Sequence, residues 1–224
     1  MDGERPGLLP PPPERLARIH LPVTEQAGPW FRTHSLDRSP YHYGRSIRHR
    51  FDDPLGEFGV LYVAADRHGA FIETFGQLAV GPGNLPRPVT SQEMARKALS
   101  EFRSERPLRL VDLTGPGLAR LGADARLFAG DHGQARQWSR AFYSHPDRVD
   151  GIYYPVRHDP SRMAAAVFNE SVSWTDLSRQ TWMSLGTGLG EILDDYGFAL
   201  IDSDHEPAAV PKGPRQETLR FEER

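Results

Sequence analysis

The sequence predicts an α+β fold, with a single compact domain built on a bent mixed sheet. Short runs of alternating or β-branched apolar residues, typical of strands, are interleaved with short stretches at helical spacing. Their order lacks the regular strand–helix alternation of a doubly wound parallel sheet. The length of 224 residues suits one domain with a sizeable core.

The individual elements follow from apolar periodicity and from turn residues at their ends. The predicted strands cover residues 30–33, 60–64, 108–113, 151–156, 164–168 and 198–201. The predicted helices cover residues 69–78, 117–121 and 133–143. Residues 34–58 are rich in Arg, His, Tyr, Asp and Gly, which predicts a long irregular loop. Such a loop inside a compact domain is usually functional or disordered.

The two ends of the chain differ in composition from its middle. Residues 1–24 are predicted to form an N-terminal arm, because the proline run 10–13 favours an extended conformation that resists packing. Residues 204–224 are polar, contain three prolines and predict a loose C-terminal tail. The functional domain is therefore expected over residues 25–203.

Composition excludes several classes of function. The formal net charge of -3 argues against a nucleic-acid partner or an anionic membrane surface. With no cysteine, the chain has no disulfide and no thiolate nucleophile or metal ligand. Its start lacks the pattern of a signal peptide, and no apolar run approaches a membrane span. We therefore expect a cytoplasmic protein.

Several familiar motifs fail on spacing. The glycines at 186, 188 and 190 lack the spacing of a dinucleotide-binding loop, and a turn before a helix is predicted instead. Three histidines at 34, 42 and 49 match no standard ligand pattern, so no metal site is expected. The pairs at 131–132 and 158–159 are predicted to be turn or cap residues rather than acid–base dyads.

One stretch of the chain combines residue types that suit chemistry on a phosphorylated sugar. Two arginines, Arg32 and Arg50, precede Tyr62 on a predicted strand, and Glu73 follows on the next helix. Glu73 lies close to the apolar side of that helix, where a carboxylate needs a partner or a ligand. Taken alone, the same residues also fit a core tyrosine, two surface cations and a structural ion pair.

The order of these blocks resembles the RES domain family, named for its Arg, Glu and Ser residues, across roughly residues 28–203. The matching segments are Arg50-Phe51, Leu61-Tyr62-Val63-Ala64, Ala70-Phe71-Ile72-Glu73, Gln137-Trp138 and Asp150-Gly151-Ile152-Tyr153-Tyr154. The resemblance implies a fold similar to ADP-ribosyltransferases. It also implies a toxin paired with an Xre-type antitoxin.

The resemblance further implies that NAD is a substrate, with no cofactor required. Water or phosphate would cleave the nicotinamide–ribose bond, or ADP-ribose would be transferred to a protein acceptor. A homo-oligomer is a further alternative for the assembly.

Roles for individual residues follow from the same resemblance. Arg32 and Arg50 would hold the diphosphate, with Arg48 as the alternative to Arg50, because guanidinium pairs well with phosphate oxygens. Tyr62 would contact the nicotinamide riboside, and Tyr154 could serve similarly. Glu73 would stabilise the positive charge that grows on the ribose as neutral nicotinamide leaves.

The sequence departs from the family pattern at one position. A serine is usual in the strand that ends this last block, just before an arginine, whereas this chain has Tyr154-Pro155-Val156-Arg157. Either Val156 occupies the place of the serine or the position is deleted. A non-catalytic nucleotide-binding module is therefore the third alternative, beside the hydrolase or phosphorylase and the transferase.

Overall fold

The computed structural model of the protein describes residues 9–79 and 86–202. The strands are β1 Val23–Gln26, β2 Trp30–Ser35, β3 Leu61–Ala64, β4 Arg87–Thr90, β5 Lys97–Ser104, β6 Leu108–Asp112, β7 Gly151–Val156, β8 Asp159–Val167, β9 Trp174–Thr181 and β10 Phe198–Ile201. The helices are α1 Arg67–Phe75, α2 Ser91–Ala95, α3 Pro116–Leu121, α4 Arg126–Ala129, α5 His132–Tyr143 and α6 Thr187–Asp195. Short 3₁₀ helices span Glu14–Arg18, Gly76–Ala79 and Trp182–Leu185.

The main sheet has eight strands in the order β1-β6-β7-β8-β3-β2-β5-β9. Strands β6 and β7 pair in parallel, and the other neighbours in this sheet are antiparallel. Strands β4 and β10 form a separate parallel pair. The predicted fold class, α+β with a mixed sheet in one domain, is confirmed.

Alternation along the central strands divides the apolar side chains between two cores. Leu61 and Val63 of β3 belong to one buried cluster, whereas Tyr62 and Ala64 face the other. The cluster that Tyr62 and Ala64 face is the larger, and it contains the buried apolar side chains of α1, α5 and α6. Because successive strand residues point to opposite faces, Tyr62 is directed to the side of the sheet that the helices cover.

The predicted elements are present: strands 151–156 and 198–201 have the predicted bounds, and the other ends differ by up to five residues. Further elements appear that the sequence did not predict. Strand β5 has two serines at buried positions, Ser100 and Ser104, which obscure its apolar alternation. Strand β9 lies at the edge of the sheet and is mostly accessible, so its residues are polar. Gly186, with φ of 55°, precedes α6 directly, as the predicted turn before a helix requires.

The described part of the N-terminal segment packs on the helix-covered face. Leu9 and Leu16, which flank the proline run, are buried in the larger cluster. The Trp138 indole N–H donates to the carbonyl of Pro10 at 2.9 Å. The leucines supply the apolar anchors that prolines alone lack. The division of the chain at residues 24 and 25 remains a prediction, and the predicted tail 204–224 lies outside the described residues.

None of the helices described over 9–79 and 86–202 has the length and apolar character needed to cross a lipid bilayer.

Candidate functional site

A cavity of about 400 Å³ opens on the helix-covered face of the sheet, within the usual size range of ligand pockets. Five of the residues predicted for the site line it together: Arg32, Arg50, Tyr62, Glu73 and Tyr154. Arg48, the predicted alternative to Arg50, has an exposed side chain and does not line the cavity. Residues from β2, β3, α1 and β7, far apart in sequence, thus share one cleft.

Glu73 is placed in the cavity by helix α1. The Asp66 side chain caps this helix by accepting from the Gly69 amide at 2.7 Å, and Phe71 and Phe75 anchor its buried face. Glu73 is on the accessible face and makes no hydrogen bond within the described residues. Although the side chain stays accessible at the cavity, the protein packed around it displaces part of its water and raises the pKa of its carboxyl to about 7, and the charge of Arg50 opposes this.

Arg50 is the most deeply buried cation of the site, with 9% of its surface exposed. One guanidinium nitrogen donates to the carbonyl of Gly130 at 2.6 Å, which fixes the side chain and leaves other N–H donors for a ligand. Burial lowers the pKa of Arg50, and the nearby charge of Arg157 lowers it further, whereas Glu73 opposes both. The charges of Arg157 and Glu73 therefore both act on Arg50 without a direct ion pair.

Arg32 approaches the cavity from β2. Its guanidinium donates to the carbonyls of Pro40 at 2.5 Å and His42 at 3.1 Å. Burial lowers the pKa of Arg32 to about 10, which leaves the group charged at neutral pH. Arg32 therefore holds the loop after β2 in place while it lines the cavity.

Tyr62 and Tyr154 are held differently. The Tyr62 hydroxyl donates to Asp52 at 3.0 Å and accepts from the Phe51 amide at 2.9 Å. Tyr154 packs its ring against Phe51 at a centroid distance of 5.0 Å, and its hydroxyl makes no hydrogen bond within the described residues. Burial and the charge of Glu73 raise the pKa of Tyr154, so its hydroxyl remains a neutral donor beside the carboxylate.

The loop that carries Arg50 is fixed by one face of helix α5. His132 Nδ1 lies 3.3 Å from the Arg48 carbonyl oxygen, Arg136 donates to the His49 carbonyl at 3.1 Å, and Ser139 donates to the Phe51 carbonyl at 2.7 Å. These three helix positions are spaced four and three residues apart, so they form one stripe along α5. The long irregular loop predicted for residues 34–58 is therefore rigidly held where it borders the cavity.

Three ionisable residues of the cavity, Arg157, His132 and His158, were not predicted as site residues from the sequence. Arg157 is exposed, lines the cavity and has no hydrogen bond or ion pair within the described residues. Its signal was present, since it ends the Tyr154–Arg157 segment in which the family serine was sought. His132 and His158 also line the cavity, and burial and nearby arginines lower the pKa of both.

Asp131 and Asp159, the sequence neighbours of these histidines, act as cap and turn residues, as predicted. Asp131 caps α5 by accepting from the Gly133 amide at 2.7 Å, and Asp159 accepts from the Ser161 hydroxyl at 2.6 Å. His158 packs directly over Gly76, where a Cβ atom would come within 2.6 Å of the imidazole ring. Val156 is fully buried and is not a cavity residue.

The three loop histidines considered for a metal lie in different environments. His34 is buried on β2 with both ring nitrogens within 2.8 Å of Ser35 and Ser100 oxygens, His42 is exposed, and His49 lines the cavity. Among the residues that the structure describes, no group of three or more His, Asp or Glu side chains is arranged to hold a metal ion.

Comparison with known families assigns the chain. The family model described as RES domain matches residues 27–182, more than half of the chain. This chain belongs to the RES domain family. The match contains all five of the predicted residues that line the cavity. The resemblance predicted from the ordered sequence blocks is thereby confirmed.

Two relatives of this RES chain are informative. A protein of Sinorhizobium fredii named "Probable toxin y4kH" is 26% identical over 117 residues, which cover 51% of this chain and 91% of the relative. A solved chain from the M. tuberculosis MbcT-MbcA toxin-antitoxin complex is similar with a TM-score of 0.50 and 17% identity. The structural match covers 75% of this chain and 91% of the solved chain, and it supports the fold.

Proposed function

We propose that this RES protein degrades NAD by cleaving the bond between nicotinamide and ribose. The observation that carries the proposal is Glu73, a carboxylate without a protein hydrogen bond that shares a cavity with Arg32, Arg50 and Arg157. The protein around Glu73 raises the pKa of its carboxyl to about 7, and perturbed groups of this kind concentrate at functional sites.

The chemistry of the leaving group fits this set of residues. Nicotinamide departs from NAD as a neutral molecule and needs no proton, so the site needs no strong general acid. The ribose becomes positively charged as the bond breaks, and a fixed carboxylate stabilises such an oxocarbenium-like state. Glu73 is the one cavity-lining carboxylate among the described residues, and we assign this role to it.

The cations of the cavity suit the diphosphate. Arg157 is free of protein partners within the described residues, and Arg50 and Arg32 each keep N–H donors beyond those used on backbone carbonyls. Guanidinium groups bind phosphate oxygens through paired N–H donors. We assign the diphosphate of NAD to the space beside these arginines and its nicotinamide ribose to the neighbourhood of Glu73. Tyr154 offers an aromatic face or a hydroxyl at the same end.

The biological role that we propose is that of a toxin controlled by a protein antitoxin, of the Xre type. This proposal is supported by the family, by the relative named as a probable toxin and by the solved chain taken from a toxin–antitoxin complex. Induced expression should slow bacterial growth, and co-expression of a cognate Xre-type antitoxin should restore it. Unimpaired growth on expression of soluble protein would contradict the toxin role.

The enzymatic proposal is tested by incubating the purified protein with NAD and measuring nicotinamide. Wild type should release it, and Glu73→Gln, which keeps the shape and removes the charge, should release it at least about 10²-fold more slowly. Glu191→Gln on α6, at an exposed position, is the matched control and should match wild type. Equal rates in wild type and Glu73→Gln would contradict the assigned role.

The products in the same assay separate the alternatives. Free ADP-ribose indicates hydrolysis, and a phosphorylated ADP-ribose that forms only when phosphate is added indicates phosphorolysis. Label from NAD on a protein band indicates transfer to an acceptor. Binding of NAD without nicotinamide release by wild type would indicate the non-catalytic module and would contradict the proposal.

A further inference from the structure

Asp52 is a buried carboxylate behind the cavity wall, with 1% of its surface exposed. One of its oxygens, Oδ2, accepts from the amides of Arg48 and His49, each at 2.9 Å, and from the Ser46 hydroxyl at 3.3 Å. The other oxygen, Oδ1, accepts from the Tyr62 hydroxyl at 3.0 Å. Asp52 thus joins the loop that precedes Arg50 to the strand that carries Tyr62.

This arrangement fixes the direction of the Tyr62 hydroxyl. A phenol has a single proton, and here it is donated to Asp52, while the oxygen also accepts from the Phe51 amide. Burial and the charge of Asp52 raise the pKa of Tyr62, so the phenol keeps that proton. Any hydrogen bond from the Tyr62 oxygen to a ligand must therefore be accepted, and the ligand group must be a donor.

The same carboxylate holds a strained turn. Ile47 has φ of 55°, a left-handed conformation that is strained for a β-branched residue. The two amides that follow it, those of Arg48 and His49, are the ones bound by Asp52. Such strain persists only where the surroundings hold it, and here the turn leads directly into Arg50.

The adjacent carboxylate has a different task and offers a matched control. Asp53 is equally buried, with 1% of its surface exposed, but it pairs with Arg140 at 2.9 Å and accepts from the Glu57 amide at 2.6 Å. None of these contacts involves Tyr62. Replacing each aspartate by asparagine therefore changes one buried charge in each case, but only one of the two touches Tyr62.

We propose that Asp52 is a positioning residue for NAD. It holds the Tyr62 hydroxyl as a hydrogen-bond acceptor toward a donor group of the substrate, which we assign as a ribose hydroxyl, and it fixes the backbone that presents Arg50. Asp52 acts through these residues and does not touch the substrate. The choice of NAD as substrate rests on the proposed function. The claim that Asp52 fixes the backbone before Arg50 can be measured without any ligand.

The first measurement is kinetic and compares Asp52→Asn, Tyr62→Phe and Asp53→Asn. An asparagine at 52 has one acceptor oxygen and cannot accept from the loop amides and from Tyr62 together. Asp52→Asn should lower kcat/KM for NAD about tenfold or more, because small misplacements of binding groups are costly. Asp53→Asn should leave kcat/KM per folded molecule unchanged. Equal losses in the two aspartate variants would overturn the proposal.

Coupling between Asp52 and Tyr62 is measured with the double variant. If Asp52 acts partly through Tyr62, the loss in Asp52→Asn/Tyr62→Phe is smaller than the product of the two single losses. A loss equal to that product would show independent roles and would overturn the assignment of Tyr62 as its target.

The second measurement is amide hydrogen exchange without ligand. The amides of Arg48 and His49 should exchange at least about tenfold faster in Asp52→Asn and should remain protected in Tyr62→Phe and Asp53→Asn. Unchanged protection in Asp52→Asn overturns the positioning claim alone. Failure of wild type to consume NAD overturns the proposed function alone.

Tyr62→Phe keeps the test decisive if Asp52→Asn does not fold. Binding of NAD and of its 2′-deoxy and 3′-deoxy nicotinamide-riboside analogues is then measured by calorimetry. One of the two analogues should bind wild type about tenfold more weakly than NAD, with no such difference in Tyr62→Phe. The same loss in both proteins, or no loss with either analogue in wild type, would overturn the hydroxyl assignment.

Discussion

Two carboxylates, Glu73 in the cavity and Asp150 at the start of β7, show how one chemical group serves two purposes. Asp150 is 2% exposed and accepts from both terminal nitrogens of Arg106 at 2.7 Å and from the Asn169 amide group at 2.6 Å. Burial tends to raise the pKa of Asp150, but these donors outweigh it and hold the pKa below its ordinary value.

Glu73 experiences the same effect of burial without the donors. Its pKa is raised to about 7, and only the charge of Arg50 opposes the shift. The two carboxylates therefore differ in solvent access, since Asp150 is buried and Glu73 lies on the accessible face of α1, and in the supply of hydrogen bonds. Where donors satisfy a carboxylate, the protein uses it to hold strands and loops together. At Glu73, where the described residues supply no donor, the carboxylate is left for the ligand role that we propose.

The largest effect is expected from removing the satisfied carboxylate. Asp150→Ala should lower the free energy of unfolding by about 3 kcal/mol, because it leaves the Arg109 amide and the Asn169 side chain without their acceptor. Activity per folded molecule should be unchanged. Chemical denaturation measures the first quantity, and Asp194→Ala, at an exposed position on α6, is the control. A loss of activity larger than the loss of folded protein would contradict the separation of the two regions.

A smaller effect is expected from the free cation of the cavity. Arg157→Ala should raise KM for NAD about tenfold, because one charge-assisted contact with phosphate is lost, and should leave stability unchanged. Arg120→Ala on α3, also at an exposed position, should leave KM unchanged. Steady-state kinetics distinguish the two variants, and an unchanged KM in Arg157→Ala would exclude the proposed contact.

The smallest expected effect is that of a pH change near neutrality on kcat/KM. Only the ionised form of Glu73 stabilises a ribosyl cation, and its pKa of about 7 means that half the free enzyme is ionised at pH 7. The value of kcat/KM should fall about tenfold per pH unit well below 7 and rise only about twofold above it. Bound nicotinamide is cationic and favours the carboxylate, so the kcat profile should lie at lower pH. A flat kcat/KM profile between pH 5 and 8 would contradict this role.

Much of the fold was predictable because its central elements follow a simple period. The alternation along 60–64 and the helical spacing of Phe71 and Phe75 placed Tyr62 and Glu73 on the correct elements. Strand β9 could not be predicted, because an edge strand that faces water carries no apolar alternation. The small parallel pair of β4 and β10 also depends on tertiary packing that local sequence does not encode.

Site residues that lie in the family's sequence blocks could be predicted. Residues whose role depends on contacts between distant segments could not. Arg32 and Glu73 were found from their blocks, and the cavity brings them together. The role of Asp52 depends on Tyr62 approaching from another strand, and that of His132 on α5 lying along the loop. A single sequence does not predict either contact, because buried aspartates and histidines at helix ends are common for other reasons.

The contact between Gly76 and His158 offers a way to change the shape of the cavity without removing its charged side chains. Even a methyl group at position 76 would come within 2.6 Å of the imidazole, so the ring must move, and that ring is part of the cavity wall. Gly76→Ala retains each arginine, tyrosine and carboxylate of the site while altering the shape around them. Under the toxin role proposed above, such a variant would burden the producing cell less while keeping the charged side chains of the cavity.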